Sequence, residues 1–182
     1  LRSAGEEADE LASGLTPDEL WWRPAHDRWS VGECLDHLVR TGEAYLGVMN
    51  DAVEEGRRDG LLDGGSYRPG LLGRWLPRML EPPPRLKIRA PRSIRPRRPA
   101  AGGPEQSPDA DPLREFLALR DRLGERLQAA DGLDLGGIRV ASPFISFLRF
   151  DLGSAFRIVA AHERRHLWQA RQVRKEDRFP AP

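Results

Sequence analysis

Apolar residues recur every three to four positions in four stretches of the chain, and polar, glycyl or prolyl segments separate them. Ala4, Ala8, Leu11 and Leu15 fall on one helical face and predict an amphipathic helix over 1–14. Val31, Leu35, Leu38, Tyr45 and Met49 predict a second over 30–55. Leu113, Phe116, Leu117, Leu123 and Leu127 predict a third over 111–131, stopped by Gly132. The fourth, over 152–175, has the seam Leu152, Ala155, Val159, His162, His166, Gln169, Val173. Two of its central positions are histidines where an apolar residue is expected.

Capping residues mark the same boundaries. "TPDE" at 16–19 pairs an N-cap threonine with a proline at the first helical position and a reciprocal glutamate, so a short helical turn follows. Ser30 and Glu33 repeat the capping box at the head of the second helix. Asp111 and Pro112 open the third. Gly32, Gly42 and Gly47 weaken the second helix intrinsically, so packing must hold it. "SPFISFLRF" (142–150) reads as a buried connector, and no substantial sheet is expected.

Residues 57–108 carry no comparable periodicity. They hold ten of the sixteen prolines, and twelve Lys or Arg against four Asp or Glu. Such a stretch cannot be ordinary helix or central strand. It predicts a long, arginine-rich crossover insertion, with one short helix possible at "LLGRWLPRML" (71–80). The pattern as a whole predicts an all-α chain: a four-helix bundle with a long Pro/Arg-rich crossover, as a single domain over 1–182.

Composition narrows the function classes. A hydrophobic content of 39% beside 31% charge describes a globular chain with a highly charged surface. No apolar run approaches the roughly 18 residues that cross a bilayer, so no membrane partner is expected. The net charge of +1 argues against a nucleic-acid-binding domain. The insertion lacks the interleaved aromatics of a base-stacking surface, since Tyr67 and Trp75 are its aromatic pair. Cys34 is the one cysteine, so no intrachain disulfide can form, in keeping with a reducing, cytoplasmic setting. The first residue is Leu1 rather than an initiator methionine, so a preceding segment is expected.

The candidate chemistry sits in "VAAHERRHLWQ" (159–169). His162 and His166, four apart, stack on one helix face at metal-ligand spacing. The alternative is a pair of hydrogen-bonded core histidines. A zinc-protease reading of HExxH lacks its third ligand: only Glu176 and Asp177 offer carboxylates downstream, at a ragged end, and no strand edge is predicted to align a peptide. Glu163 then is not a general base, and a surface ion pair with a nearby arginine is its ordinary explanation. A third ligand can come from upstream. His37, on the flank of the second helix's apolar face, would complete a facial set of three imidazoles suited to zinc, nickel, iron or manganese, with positions left open. His26 lies in the loop "WRPAHDRWS", where exposure is expected, and Cys34 is expected to be a small buried residue. Trp29 and Trp168 either line a pocket or pack the core, and Gln169 is a candidate partner for His166.

"LTPDELWWRPAHDRWSVGECLDHLVRTGEAYL" (15–46) and "FRIVAAHERRHLWQARQV" (156–173) together resemble the DinB/YfiT-like family of four-helix-bundle metalloenzymes. The shared pattern is a Trp-Ser pair opening a helix that bears the first histidine, and an HxxxH near the end of the chain, often followed by a glutamine. The resemblance implies a divalent metal ion held by His37, His162 and His166. Similar members include thiol-dependent transferases that use bacillithiol or mycothiol, and a thiol-dependent maleylpyruvate isomerase. The expected partners are therefore a small-molecule substrate and a low-molecular-weight thiol. The family analogy, with the apolar segment 71–80, also implies a homodimer. Three other readings stand beside a thiol S-transferase: a metal-dependent hydrolase, a non-catalytic metal- or ligand-binding bundle of stress-response type, and a purely structural bundle. The insertion departs from short family members, so their substrates do not transfer.

Overall fold

The computed structural model of the chain describes residues 2–63, 65–83, 94–96 and 111–180. Much of the 57–108 insertion and its link to the third long helix lie outside the described residues. The elements are α1 (Arg2–Ala12), α2 (Pro17–Leu20), α3 (Val31–Arg58), α4 (Leu71–Leu80), α5 (Pro112–Ala129), β1 (Arg139–Ala141), β2 (Arg149–Asp151) and α6 (Leu152–Arg174). The architecture is mostly helical, and α1, α3, α5 and α6 are the four long helices of the predicted bundle.

The caps act as their sequences suggest. Thr16 and Glu19 close a reciprocal capping box on α2, and Ser30 and Glu33 close another on α3. Asp111 accepts from the backbone N–H groups of Leu113 and Arg114 at the head of α5. Asp151 caps α6 through Ser154 N–H. α3 continues to Arg58, a turn beyond the expected end. Tertiary packing compensates its glycines: a Cβ at Gly42 would sit 2.4 Å from a Leu119 methyl, so the glycine lets α3 and α5 approach closely.

Two expectations need correction. The 142–150 segment is not a buried connector. It forms the tip and return of a small antiparallel hairpin that pairs Arg139 with Asp151, Val140 with Phe150 and Ala141 with Arg149. Its alternation buries Val140 and Phe150 while Phe147 is 88% exposed. Glu163 is not a surface residue: it is 3% exposed and lies 3.7 Å from the equally buried Arg120. α6 packs against α1 and α4 as well as α3, so its buried face is wider than a single seam and takes in Glu163, Leu167 and Ala170.

The core has two apolar clusters stacked along the bundle. One gathers Tyr45, Met49 and Val53 of α3, Leu119 and Leu123 of α5, Val159 of α6, and the hairpin's Val140 and Phe150. The other gathers Ala8 and Leu11 of α1, Leu35 and Leu38 of α3, Phe116 of α5, and Leu167 and Ala170 of α6. In sequence, His162, Glu163 and His166 of α6 fall between Val159 of the first cluster and Leu167 of the second, and Thr41 of α3 falls between Val39 and Tyr45, whereas His37 and Arg120 each lie among the members of a single cluster. These polar groups interrupt the apolar core, and burying them is costly unless they are partnered.

The described part of the insertion lies along α6. Tyr67 donates its hydroxyl hydrogen to Asp151 Oδ1 at 2.6 Å and sits 3.0 Å from Ser154 Oγ. Its ring fills the space a Cβ at Gly153 would need. Gly73 of α4 lets Ser154 approach in the same way, and Arg164 pairs with Glu81 just past the end of α4.

Candidate metal centre

α3 and α6 bring the three predicted histidines together. His37 is 1% and His166 7% exposed, while His162 is half-buried. Their ring centroids are 4.5 Å (37–166), 4.6 Å (162–166) and 5.1 Å (37–162) apart. One ring nitrogen from each lies within 4.8 Å of the other two. Three nitrogens bound to one face of an ion at about 2.1 Å sit about 3.0–3.4 Å from one another; the His37 and His162 Nε2 atoms, 3.0 Å apart, already have that spacing, and ring rotation would draw in the third. Among the described residues this is the one such group of His, Cys, Asp or Glu.

Hydrogen bonds around the cluster set which nitrogens face inward. His37 Nδ1 lies 2.6 Å from the Ile94 carbonyl oxygen. A carbonyl only accepts, so Nδ1 carries the hydrogen and Nε2 keeps its lone pair. His166 Nδ1 lies 3.1 Å from Gln169 Oε1, which fixes the same tautomer there. Gln169 is thus the partner of His166 that its spacing suggested. His37 Nε2 and His162 Nε2 are 3.0 Å apart. Without an ion between them, His162 must donate its Nε2 hydrogen to His37. With one, both lone pairs turn inward and the His162 hydrogen moves to Nδ1.

The electrostatics keep the imidazoles neutral, which ligation requires. Burial lowers the His37 pKa below its usual 6.5, outweighing the hydrogen bond to Ile94 and the Asp36 carboxylate, which raise it. His162 is lowered to about 3 by burial, then by His37 and Arg165. It is therefore neutral near pH 7. His166 is lowered well below 6.5, by burial first and then by the other two histidines. The donor set fits a divalent ion: three neutral imidazoles whose ring nitrogens converge, two of the rings held by hydrogen bonds on the far side.

The 1–170 stretch of the chain matches the family model of the DinB superfamily. The chain belongs to the DinB superfamily. No curated protein and no solved structure matches it. The bundle, the family and the histidine cluster are together compatible with a metal-dependent function. In this DinB-superfamily chain, the remaining candidates part from the cluster. His26 is exposed and Cys34 is fully buried, with burial pushing its thiol pKa far up. Glu176 pairs instead with Arg28 at 2.5 Å, and Asp177 is exposed.

Trp29 packs, and what it packs on is the site. Its ring stacks on His166 at 5.5 Å and 25°, and leans on His37 at 4.8 Å. Arg23 reaches Glu33 Oε2 at 2.7 Å and ties this loop to the head of α3, which places Trp29. Ile94 escaped the sequence reading, because a backbone acceptor from an aperiodic insertion leaves no side-chain signal. Trp29 and Ile94 close the buried side of the cluster. The half-buried His162 marks the side toward solvent.

Proposed function

We propose that this chain is a divalent-metal-dependent enzyme of the thiol S-transferase type, with His37, His162 and His166 as the metal ligands. The observation that carries the reading is convergence of three neutral imidazoles from two helices, with His162 the least buried of the three. A structural metal site is normally closed by four protein ligands, whereas three ligands beside an accessible face leave room for a substrate atom. Bound there, a divalent ion would supply a Lewis acid that lowers a thiol's pKa and favours the thiolate. The chain's own groups do the rest. Ile94 and Gln169 hold the imidazoles of His37 and His166 in one tautomer, and Trp29 shields them from water. Arg40 and Arg165 lend positive potential near the cluster, which favours an anionic or electron-rich small molecule. The partners of this reading are a low-molecular-weight thiol and an electrophilic small molecule. A homodimer is part of the proposal, supported by the exposed apolar side of α4: Leu71, Leu72 and Trp75 are 85%, 46% and 57% exposed.

The test is a screen of metal-loaded protein with bacillithiol, mycothiol and other small thiols against soluble electrophiles. Thiol consumption that requires metal and disappears in His162→Ala supports the reading. Metal binding without any turnover points to the non-catalytic alternative, and ester or amide cleavage without thiol points to the hydrolase.

A further inference from the structure

We propose that Ile94 is a positioning residue of the three-histidine centre: the turn it belongs to, carried in by the Pro/Arg-rich insertion, orients His37 through its backbone carbonyl. The inference rests on the metal reading above for its consequence, though not for its geometry.

A buried imidazole must satisfy the N–H that does not face the metal, because a buried donor without an acceptor keeps its full desolvation penalty. His37 is 1% exposed, so water is a poor partner for it. Its neighbours on α3 are helical, with their carbonyls committed to the helix. The acceptor comes instead from 57 residues away, at 2.6 Å. Ile94 is 6% exposed, so its side chain is buried as an anchor while its carbonyl faces the imidazole. The contrast with His166 is instructive. There the acceptor, Gln169, belongs to the same helix and comes with it. For His37 the acceptor arrives only if the insertion is seated. The insertion is thus a working part of the centre, and loosening it releases His37 to take the other tautomer, with Nε2 protonated and unable to ligate.

Removing such an outer partner of a metal-bound histidine typically weakens metal binding about 10- to 100-fold. The test compares wild type with Ile94→Gly, which removes the anchor, and Ile94→Val, which keeps most of it. Ile138→Ala, a similarly buried site in the apolar cluster around Val53 and Phe150, controls for general destabilisation. Long-range nitrogen–proton NMR of the imidazoles, with His37 assigned by His37→Gln, reads the tautomer with no metal present. Competition titration with zinc(II) alone reads affinity. The expected result is an Nδ1–H His37 in wild type and Ile94→Val, loss of that fixed tautomer in Ile94→Gly, and zinc affinity about 10- to 100-fold weaker in Ile94→Gly only. An Nε2–H His37 in wild type, or unchanged tautomer and affinity in Ile94→Gly, overturns the proposal. So does an equal affinity loss in Ile138→Ala. If wild type binds no zinc, the metal reading fails, while the tautomer measurement still decides the role of Ile94.

Discussion

His162 and Glu163 are neighbours on α6, yet they serve two polar clusters of opposite character. His162 turns toward α3 and joins two other uncharged rings whose outer N–H groups, in His37 and His166, have acceptors. Glu163 turns toward α5 and meets Arg120 at 3.7 Å, with both carboxylate oxygens buried and no hydrogen bond to them among the described residues. Burial raises its pKa to about 7, and the Arg120 guanidinium pulls the other way without prevailing. One cluster has acceptors on the outer side of two of its rings and ring nitrogens converging inside. The other is a charge pair at a long separation that only partly repays its desolvation. The difference teaches that burial of polar groups does not by itself mark a ligand site. What marks it is neutral ring nitrogens aimed at a common point.

The comparison breaks most visibly through stability. Glu163→Ala leaves the buried guanidinium of Arg120 without its carboxylate and should cost about 3 kcal/mol, read by urea unfolding at pH 7. The double variant Arg120→Met with Glu163→Leu should recover most of that loss. A double variant as unstable as Glu163→Ala would show the pair to be a genuine stabiliser. Metal should distinguish the clusters next. Zinc at about 100 times its dissociation constant should add about 2.7 kcal/mol to wild type and to Glu163→Gln, and nothing to His162→Ala.

Acid sharpens the contrast, because the two clusters respond with opposite sign. The histidines have folded pKa values below 6.5. The stability that goes with their neutral forms is complete above pH 6.5 and is lost as pH falls below it. Glu163 has a folded pKa raised from 4.5 to about 7. Its ionised form burdens the fold above pH 7, and protonation relieves that burden as pH falls toward 4.5. Each group contributes up to about 1.4 kcal/mol per pH unit where only one state is protonated. With a chelator present, His162→Ala should therefore flatten the loss of stability between pH 6.5 and 5, and Glu163→Gln should steepen it. The same slope in all three proteins would contradict both assignments. The smallest effect belongs to the scaffold common to both clusters: Ser30→Ala removes the α3 cap at a cost of about 1 kcal/mol, with the zinc-linked stabilisation retained.

Much of this was legible in the sequence for physical reasons. Helical periodicity and capping boxes are local, so α3, α5 and α6 could be placed to within a turn. The i, i+4 spacing of His162 and His166, on seam positions where apolar residues belong, announced a buried polar feature. His37 was legible as a candidate on an opposing helix. The parts that were not legible depend on distant chain. Glu163 looks like a surface residue until α1 packs on α6 and Arg120 reaches it from α5. The hairpin strands Arg139–Ala141 and Arg149–Asp151 are only three residues each, too short for alternation to stand out. Ile94 acts through a carbonyl, which every residue has.

Three imidazoles that converge in this way should share one ion. Equilibrium dialysis against zinc, nickel, iron and manganese, followed by elemental analysis, tests it directly. It predicts one ion per chain in wild type for at least one of these metals, and none in His37→Ala or His166→Ala variants that keep their helical circular dichroism. No bound ion in wild type with any of the four, or full occupancy in either variant, would contradict it.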